Sequence, residues 1–452
     1  MTRRAAGALL AIALSAPVVE AQTLTRPPAT PPSATGSDEP QAGEIPVGRG
    51  DDDEPDVPAV SIGRWFTLGG SVQAEWNTMR QPAGVAQEAL EPEAGSSLQL
   101  RTSLTPATGV ALFARTEWRR EFPTNVPEWW RAGDTSGRVV EAYLDVDRPL
   151  GLPVGLRVGR QRFRDAREWF FDDYLDAVRL RAQAGRWRFD AAVTGTVSRT
   201  PVEARSDEQR PHVIATISRR VTRGMRATAF YIRRGDQTGG RDRPWWLGAS
   251  LASRGEHAVM FNATGALRRG RAGDVRLEGW AVDSSVRWHI DAPGRPAVSV
   301  GYARASGDDS TADGVDHGFR QTGLQDNSSR VGGIRRIRIY GEAFDPELSN
   351  MEIVTAATSL RPARALSLDV LAHRYTQVVA RRRLADTAFE VRANGRAAHL
   401  GDELDLQVVA RPHRRIDLRL IVGVFKAGAG FDAPPGAGQT TIVWRPQLRV
   451  YF

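Results

Sequence analysis

From Trp65 onward, apolar and polar residues alternate in runs of about 9 to 13, separated by clusters of Gly, Pro, Asp and Arg. In the first run Phe66, Leu68, Val72, Ala74 and Trp76 fall on one side and Thr67, Ser71, Gln73 and Glu75 on the other. A period of two is the signature of a strand whose faces meet different surroundings. Leu98, Leu100 and Leu104 oppose Gln99, Arg101 and Ser103 in the next run, and Val110, Leu112, Ala114 and Trp118 oppose Arg115, Glu117 and Arg119. Val140, Ala142, Leu144 and Val146 are set against Glu141, Tyr143 and Asp145. The pattern persists in Trp280, Val282, Val286 and Trp288 against Asp283, Ser285 and Arg287, and in Leu404, Leu406 and Val408 against Glu403, Asp405 and Gln407. The expected fold class is all-β.

A soluble sandwich alternates in the same way, so other features have to separate the two. The polar faces carry charges at successive positions, which a dry core cannot solvate but a water-filled lumen can. Apolar faces end in Trp76, Trp118, Trp187, Trp288 and Tyr302, where an interfacial aromatic girdle would lie. Counting back from Phe452, the residues Val450, Leu448, Trp444 and Ile442 share a face opposite Arg449, Gln447 and Arg445. A closing strand with a terminal aromatic is the pattern of outer-membrane barrels. Pro446 interrupts that strand and should sit where no ladder donor is needed. Dividing residues 62–452 at roughly 20–22 residues per strand and connection gives about 16 to 20 antiparallel strands, enough for an aqueous lumen.

The ends of the chain add organisation. Arg3 and Arg4, the apolar stretch Ala5 to Val19 and the small-residue site ending at Ala21 read as a secretory signal over residues 1–21. Residues 22–61 are rich in proline and acidic groups, as in Asp51-Asp52-Asp53-Glu54-Pro55, and are expected to be a disordered periplasmic leader. The barrel takes residues 62–452. Nowhere else does an apolar run reach the length of a membrane-spanning helix.

Composition narrows the chemistry. There is no cysteine, so disulfides and thiolate metal sites are excluded. Of the 61 basic residues only Lys426 is lysine, so any basic surface is a guanidinium surface, permanently charged and shaped to fork onto carboxylates. The net charge of +8 would suit a nucleic acid, but an exported chain without a nucleic-acid motif argues against that partner. The seven histidines, among them His212, His317 and His373, show no metal-binding spacing. No nucleophile elbow, phosphate loop or dinucleotide fingerprint is present, so neither an enzyme nor a cofactor is expected. Asp308, Asp309, Asp313 and Asp316 form an acidic loop that is a weak candidate for a divalent cation; their spacing is not that of an EF-hand, and a solvated loop is the plainer reading.

The most specific blocks lie further along. The run Gly159-Arg160-Gln161-Arg162-Phe163-Arg164-Asp165 ends one strand, and Asp172-Asp173-Tyr174-Leu175-Asp176-Ala177-Val178-Arg179 begins the next. Then come Gly301 to Gly307, Phe319 to Asn327, and Tyr340-Gly341-Glu342-Ala343-Phe344 continuing to Asn350. Leu400 to Leu406 and Gly423 to Gly428 follow. In this order the blocks resemble the alginate export porins over about residues 139 to 430; the N-terminal third matches only in texture. The resemblance implies an 18-stranded barrel working as a monomer, an arginine-rich constriction, loops that occlude its ends, and passage of an anionic polysaccharide, with outer-membrane lipid and lipopolysaccharide around it and periplasmic export proteins as further partners. It places Arg160, Arg162 and Arg179 in the lumen block, and Arg336, Arg338 and Glu342 just before and within the Tyr340 block. Arg101, Arg115 and Arg419 join them from strand alternation alone.

The physical logic is that a uronate polymer carries about one carboxylate per sugar, and guanidinium groups hold carboxylates two-pronged. Each contact must stay weak enough for the chain to move on, so acidic neighbours such as Asp165, Asp176 and Glu342 would moderate the trap. The same pairs could instead brace a lumen wall. An anion-selective porin for inward uptake of small acidic solutes is the alternative reading.

Overall fold

The computed structural model describes residues 59–80, 93–123, 135–195, 210–236, 242–253, 257–310, 312–388, 391–432 and 440–452. The expected signal segment and the leader up to residue 58 lie outside the described residues. Eighteen strands make the wall: β1 Phe66–Arg80, β2 Glu93–Ala107, β3 Val110–Pro123, β4 Thr135–Asp147, β5 Val154–Arg164, β6 Asp172–Ala184, β7 Trp187–Thr194, β8 His212–Thr222 and β9 Met225–Arg234. They continue as β10 Trp245–Ser253, β11 Val259–Ala272, β12 Trp280–His289, β13 Ala297–Ala305, β14 Met351–Ala363, β15 Leu366–Gln377, β16 His399–His413, β17 Ile416–Ala427 and β18 Thr440–Tyr451. Each pairs antiparallel with its sequence neighbours, and β18 returns to β1 from Ser71↔Tyr451 to Arg80↔Ile442, closing the ring. Closure leaves no strand edge for lipid to meet.

Pro446 sits where expected: the β1–β18 pairing lapses between Glu75↔Gln447 and Thr78↔Trp444 without a change of register. Gly70 and Phe452 exchange both backbone hydrogen bonds at 3.0 Å to complete the seam. Val60–Ile62, at the end of the expected leader, folds back as a short strand on Phe66–Leu68. Val140 departs from the simple alternation. Register between β3 and β4 runs from Arg115↔Glu141 to Thr116↔Val139, so Val140 is the extra residue of a bulge and is buried rather than lipid-facing.

Two-residue turns such as Thr108–Gly109, Gly185–Arg186, Arg364–Ala365 and Arg414–Arg415 gather at one end of the barrel, and the long connections gather at the other. Outward positions such as Leu98, Leu112, Val158, Leu247 and Leu404 are exposed. Trp187 and Trp288 mark the short-turn end of the apolar band, and Trp118, Trp280 and Trp444 the long-loop end. Inward positions such as Ser71, Glu117, Asp145, Asp369 and Gln407 are buried and polar.

That burial arises because two segments fold into the lumen. The first is the tip of the β5–β6 hairpin. β5 pairs with β4 only from Gly155 to Arg160, and β6 pairs with β7 only from Ala177 to Ala184. Beyond those points the two strands pair only with each other, up to Arg164↔Asp172. Gly159 marks the departure: its φ is +124°, and a Cβ there would lie 2.2 Å from the Ala142 carbonyl oxygen, so a side chain is excluded. One face of the tip carries Phe163 and Leu175, which join Phe170 and Phe171 in an apolar cluster with the inward Ile214, Phe230 and Ile232. The Phe170 and Phe230 rings are 4.5 Å apart. Burying each such side chain contributes about 1.5–3 kcal/mol, which offsets the wall hydrogen bonds the hairpin forgoes. The opposite face presents Arg162, Tyr174 and Asp172 to the lumen.

The second segment is the connection 306–350 between β13 and β14. Ser328–Ser329 and Ile337–Arg338 form a small hairpin inside the barrel. Its tip reaches wall residues close to the short turns: Gly333 N–H donates to Asp369 (2.9 Å), Ile334 N–H to the Ser367 hydroxyl (3.0 Å), and Arg335 to Asp417 (3.2 Å). On the return limb Glu403 accepts from the Ala343 and Phe344 amides at 2.6 and 3.0 Å, and Phe344 stacks on Phe425 at 4.6 Å. The connection thus runs the depth of the barrel and is bonded to the wall at several levels.

Candidate functional site: an arginine cluster across the lumen

The tip of the β5–β6 hairpin meets the base of the small hairpin in the 306–350 connection, where the Glu168 carbonyl accepts the Asp326 and Asn327 amides. Glu168, Asp172 and Asp326 bring one carboxylate oxygen each to within 4.8 Å of one another. Three like charges at that spacing repel, and four guanidiniums gather round them. Arg162 takes Asp172 two-pronged at 2.6 and 2.8 Å, and Arg164 takes Glu168. Arg336 reaches Glu168 at 2.9 Å, and Arg338 reaches Asp326 at 3.4 Å and Asp345 at 2.6 Å. Burial, and after it the neighbouring Asp172, push the Glu168 carboxyl above its ordinary pKa. Burial works against the charge of Arg338, but Asp345 and Asp326 outweigh it and hold its pKa above that of ordinary arginine.

From this junction the network reaches both walls. Towards β17 and β18, Arg419 donates to the Arg336 carbonyl (2.9 Å) and to Gln407 (2.7 Å), and Glu342 receives Arg445 at 2.8 Å with Arg419 at 4.0 Å. Burial works against the Glu342 charge, yet Arg445, Arg338 and Arg419 together hold its pKa low. Towards β3 and β4, the Tyr174 ring lies under Arg162 (5.6 Å) and Arg115 (5.0 Å), and Arg115 pairs with Glu141 at 3.1 Å. The wall of β1–β7 carries further pairs: Arg119 with Glu75 (2.9 Å), Arg138 with Glu117 (2.7 Å), Arg179 with Asp190 (2.6 Å) and Arg181 with Asp145 (2.6 Å).

The residues expected from sequence are thus sorted. Arg162, Arg336, Arg338, Arg419 and Glu342 belong to one connected cluster. Arg160 stands at the base of the inserted hairpin, 4.0 Å from Asp176, and Arg179 lies lower on β6. Arg101 is beside Arg115 in the β2–β3 ladder. Arg115 has a side chain only 5% exposed and braces Tyr174, so it supports the hairpin from the wall. Asp165 does not moderate an arginine trap: its carboxylate accepts the backbone amides of Arg167, Trp169, Phe170 and Phe171 at 2.9–3.2 Å and so shapes the hairpin turn. The acidic loop does not assemble a cation site. Asp316 is taken by Arg268 at 3.0 Å, Asp313 accepts the Val315 amide, Asp308 faces the His317 amide, and Asp309 is exposed. Among the described residues the acids that do converge are those at the junction. Arg164, Arg445, Glu168 and Asp326 were not singled out from sequence. Arg445 alternates inward on the last strand and was legible; the others depend on which segments fold inward.

A sequence profile described as alginate export matches residues 65–443. The chain belongs to the alginate export family. The alginate production protein AlgE of Azotobacter vinelandii is 37% identical over 106 residues, covering 23% of this chain and 21% of that protein. AlgE of Pseudomonas aeruginosa is 30% identical over 196 residues, covering 39% and 38%, and AlgE of Pseudomonas syringae is 25% identical over 367 residues, covering 64% and 71%. The matches to the first two therefore span well under half the length of either protein. In fold, this member of the alginate export family resembles OccAB2 of Acinetobacter baumannii (TM-score 0.58, 10% identity, 86% of this chain and 98% of the other) and OccK11 of Pseudomonas aeruginosa (TM-score 0.55, 12% identity, 86% and 95%). These likenesses agree with the closed antiparallel barrel that the strand pairing shows.

Proposed function

We propose that the chain sits in the outer membrane with its short turns towards the periplasm and exports an anionic polysaccharide, alginate or a similar uronate polymer, as a single barrel. The polymer passes between the inserted segments and the wall of β1–β7. The observation that carries this reading is the four-guanidinium cluster of Arg162, Arg164, Arg336 and Arg338 at the junction in the lumen, together with guanidiniums on the β1–β7 wall that keep access to water. Side chains of Arg119, Arg138 and Arg181 are 32%, 42% and 32% exposed, against 5% for the bracing Arg115.

Each guanidinium in such a row can exchange its internal carboxylate for one on the polymer at little net cost, because one charge-assisted pair replaces another. That exchange favours movement from site to site over a deep well. Membership of the family and the porin fold support the reading. It is tested in planar bilayers. The wild-type pore should be anion-selective and transiently blocked by oligomannuronate, and Arg162→Ala with Arg338→Ala should shorten the blocks at least tenfold. A cation-selective pore, or one indifferent to the oligomer, would overturn the proposal.

A further inference from the structure

On the outer face of the barrel, at the long-loop end, β9, the residues leading into β10 and the end of β11 frame a recess of about 550 Å³ lined by Tyr231, Arg233, Arg243, Trp245, Gly270 and Arg271. Arg233 is directly opposite Trp245 and shares the outward face with Tyr231 and the exposed Leu247. The Tyr231 and Trp245 rings, 6.1 Å apart, sit where an aromatic girdle meets lipid headgroups. The Arg243 amide donates to the Arg271 carbonyl at 2.8 Å, and a Cβ on Gly270 would lie 2.2 Å from the Arg243 carbonyl oxygen. Glycine at 270 therefore lets two arginine-bearing segments close on each other.

Arg233, Arg243 and Arg271 are exposed, and among the described lining residues there is no carboxylate. Asp242, beside Arg243 in sequence, accepts the Gly273 amide at 2.8 Å. Other outward arginines at this end are neutralised on the wall itself, Arg304 by Glu352 at 3.1 Å and Arg374 by Asp402 at 2.8 Å. Three guanidiniums open to water at the edge of the apolar band form a receptor for an anionic headgroup. β9 and β11 are two strand spacings apart, about 10 Å, so the arginines reach across more than one phosphate.

Towards the short turns, and joined to the recess at Tyr231, an apolar groove of about 400 Å³ runs down the outer wall. Its floor steps across the strands through Ala182, Ala191, Ala215 and Ala229, with Ala191 opposite Ala215 and Ala215 opposite Tyr231. The exposed Leu180, Phe189, Ile217 and Leu247 border it. A free phosphate would use the arginines alone; guanidiniums at the head of an apolar groove suit a lipid, with its phosphates in the recess and an acyl chain along the alanines. With the short turns towards the periplasm, the lipid at this end belongs to the outer leaflet, where the phosphates are carried on a sugar head.

We propose that the recess and groove bind one molecule of the phosphorylated glycolipid of the outer leaflet, lipopolysaccharide, by its lipid A phosphates. The choice of lipid rests on the orientation proposed above and not on export; binding is read in detergent without transport, so it can fail while the export reading stands. Native mass spectrometry of the full chain, refolded without lipid, tests it with bisphosphoryl lipid A, phosphatidylglycerol and inorganic phosphate as probes. Lipid A should bind saturably at one copy per chain, phosphatidylglycerol at least tenfold more weakly, and phosphate should not compete. Arg233→Gln with Arg271→Gln and, separately, Ala229→Phe in the groove should each weaken lipid A binding at least tenfold, with barrel integrity verified by heat-modifiable gel mobility; Arg304→Gln, elsewhere on the rim, should leave it unchanged. The groove variant keeps the arginines, so it holds the test open if the arginine pair disturbs assembly. Absence of lipid A binding, equal binding of phosphatidylglycerol, competition by phosphate, unchanged binding in both variants, or a chain dimer that Ala229→Phe abolishes would overturn the proposal.

Discussion

The guanidinium of Arg336 lies 2.9 Å from the carboxylate of Glu168, joining the two segments that enter the lumen from different parts of the chain. Glu168 is 1% exposed and is also held by Arg164 and Ser328, so the contact is one strand of a shared knot. Removing Arg336 leaves a buried carboxylate with fewer partners, a change that typically costs about 1–3 kcal/mol. We expect Arg336→Ala to keep the barrel intact but to loosen the junction, seen in single-channel recordings as added substates and a noisier open level.

Gly159 permits the hairpin to leave the wall. Any side chain there would collide with the Ala142 carbonyl in a backbone conformation that L-residues rarely adopt. Gly159→Val should therefore force the tip back towards the wall or prevent assembly. The expected outcome is loss of the heat-modifiable folded band, or a folded pore with raised conductance; a wild-type pore in both respects would contradict the assignment.

Asp165 satisfies four backbone amides of the turn at once. Asp165→Ala strands those donors in a poorly hydrated place, whereas Asp165→Asn keeps an acceptor oxygen. Alanine should destabilise by roughly 1–3 kcal/mol or more, and asparagine by less, measured as the temperature at which gel mobility changes. Equal effects would mean that charge, and not amide capping, is what the carboxylate supplies.

Asp345 keeps 21% of its side chain exposed, yet burial, opposed by Arg338 and reinforced by Asp326 and Glu342, pushes its carboxyl up to about 7. An acid whose folded pKa exceeds its unfolded one binds its proton more tightly when folded. Its contribution to stability is therefore full below the unfolded value and fades as pH rises through 7. Protonation also releases negative charge from Arg338. Lowering pH from 8 to 6 should raise anion selectivity, read from reversal potentials in a salt gradient, and Asp345→Asn should blunt that change.

Sequence and structure agree most closely where structure is local. Alternation placed Ser71, Gln99, Arg101, Asp405 and Arg449 inward, because facing lipid or lumen is decided residue by residue along a strand. It failed at Val140, where a bulge shifts the count, and it said nothing of the hairpin tip. From Arg157 to Arg164 the polar face changes sides: Arg160, Arg162 and Arg164 fall at the parity of the outward Val158, and Phe163 at that of Arg157, so the switch at Gly159 marks the bend without showing where the tip goes. Arg162 and Arg336 were named separately, but their convergence depends on the choice of Phe230 and Glu403 as packing partners, which is a long-range matter. The same cause explains Asp165 and the loop aspartates: composition shows a carboxylate, and only tertiary contacts show which hydrogen it accepts.

The connection 306–350 is fastened to β12, β15, β16 and β17 at different heights and, through the hairpin tip, braced towards β3. It is therefore a strut as well as an obstruction. A ring of strands alone can flatten into an ellipse under lateral pressure from the surrounding bilayer, whereas a cross-braced one keeps its section round. A passing chain would then meet a gauge of set clearance instead of a breathing aperture.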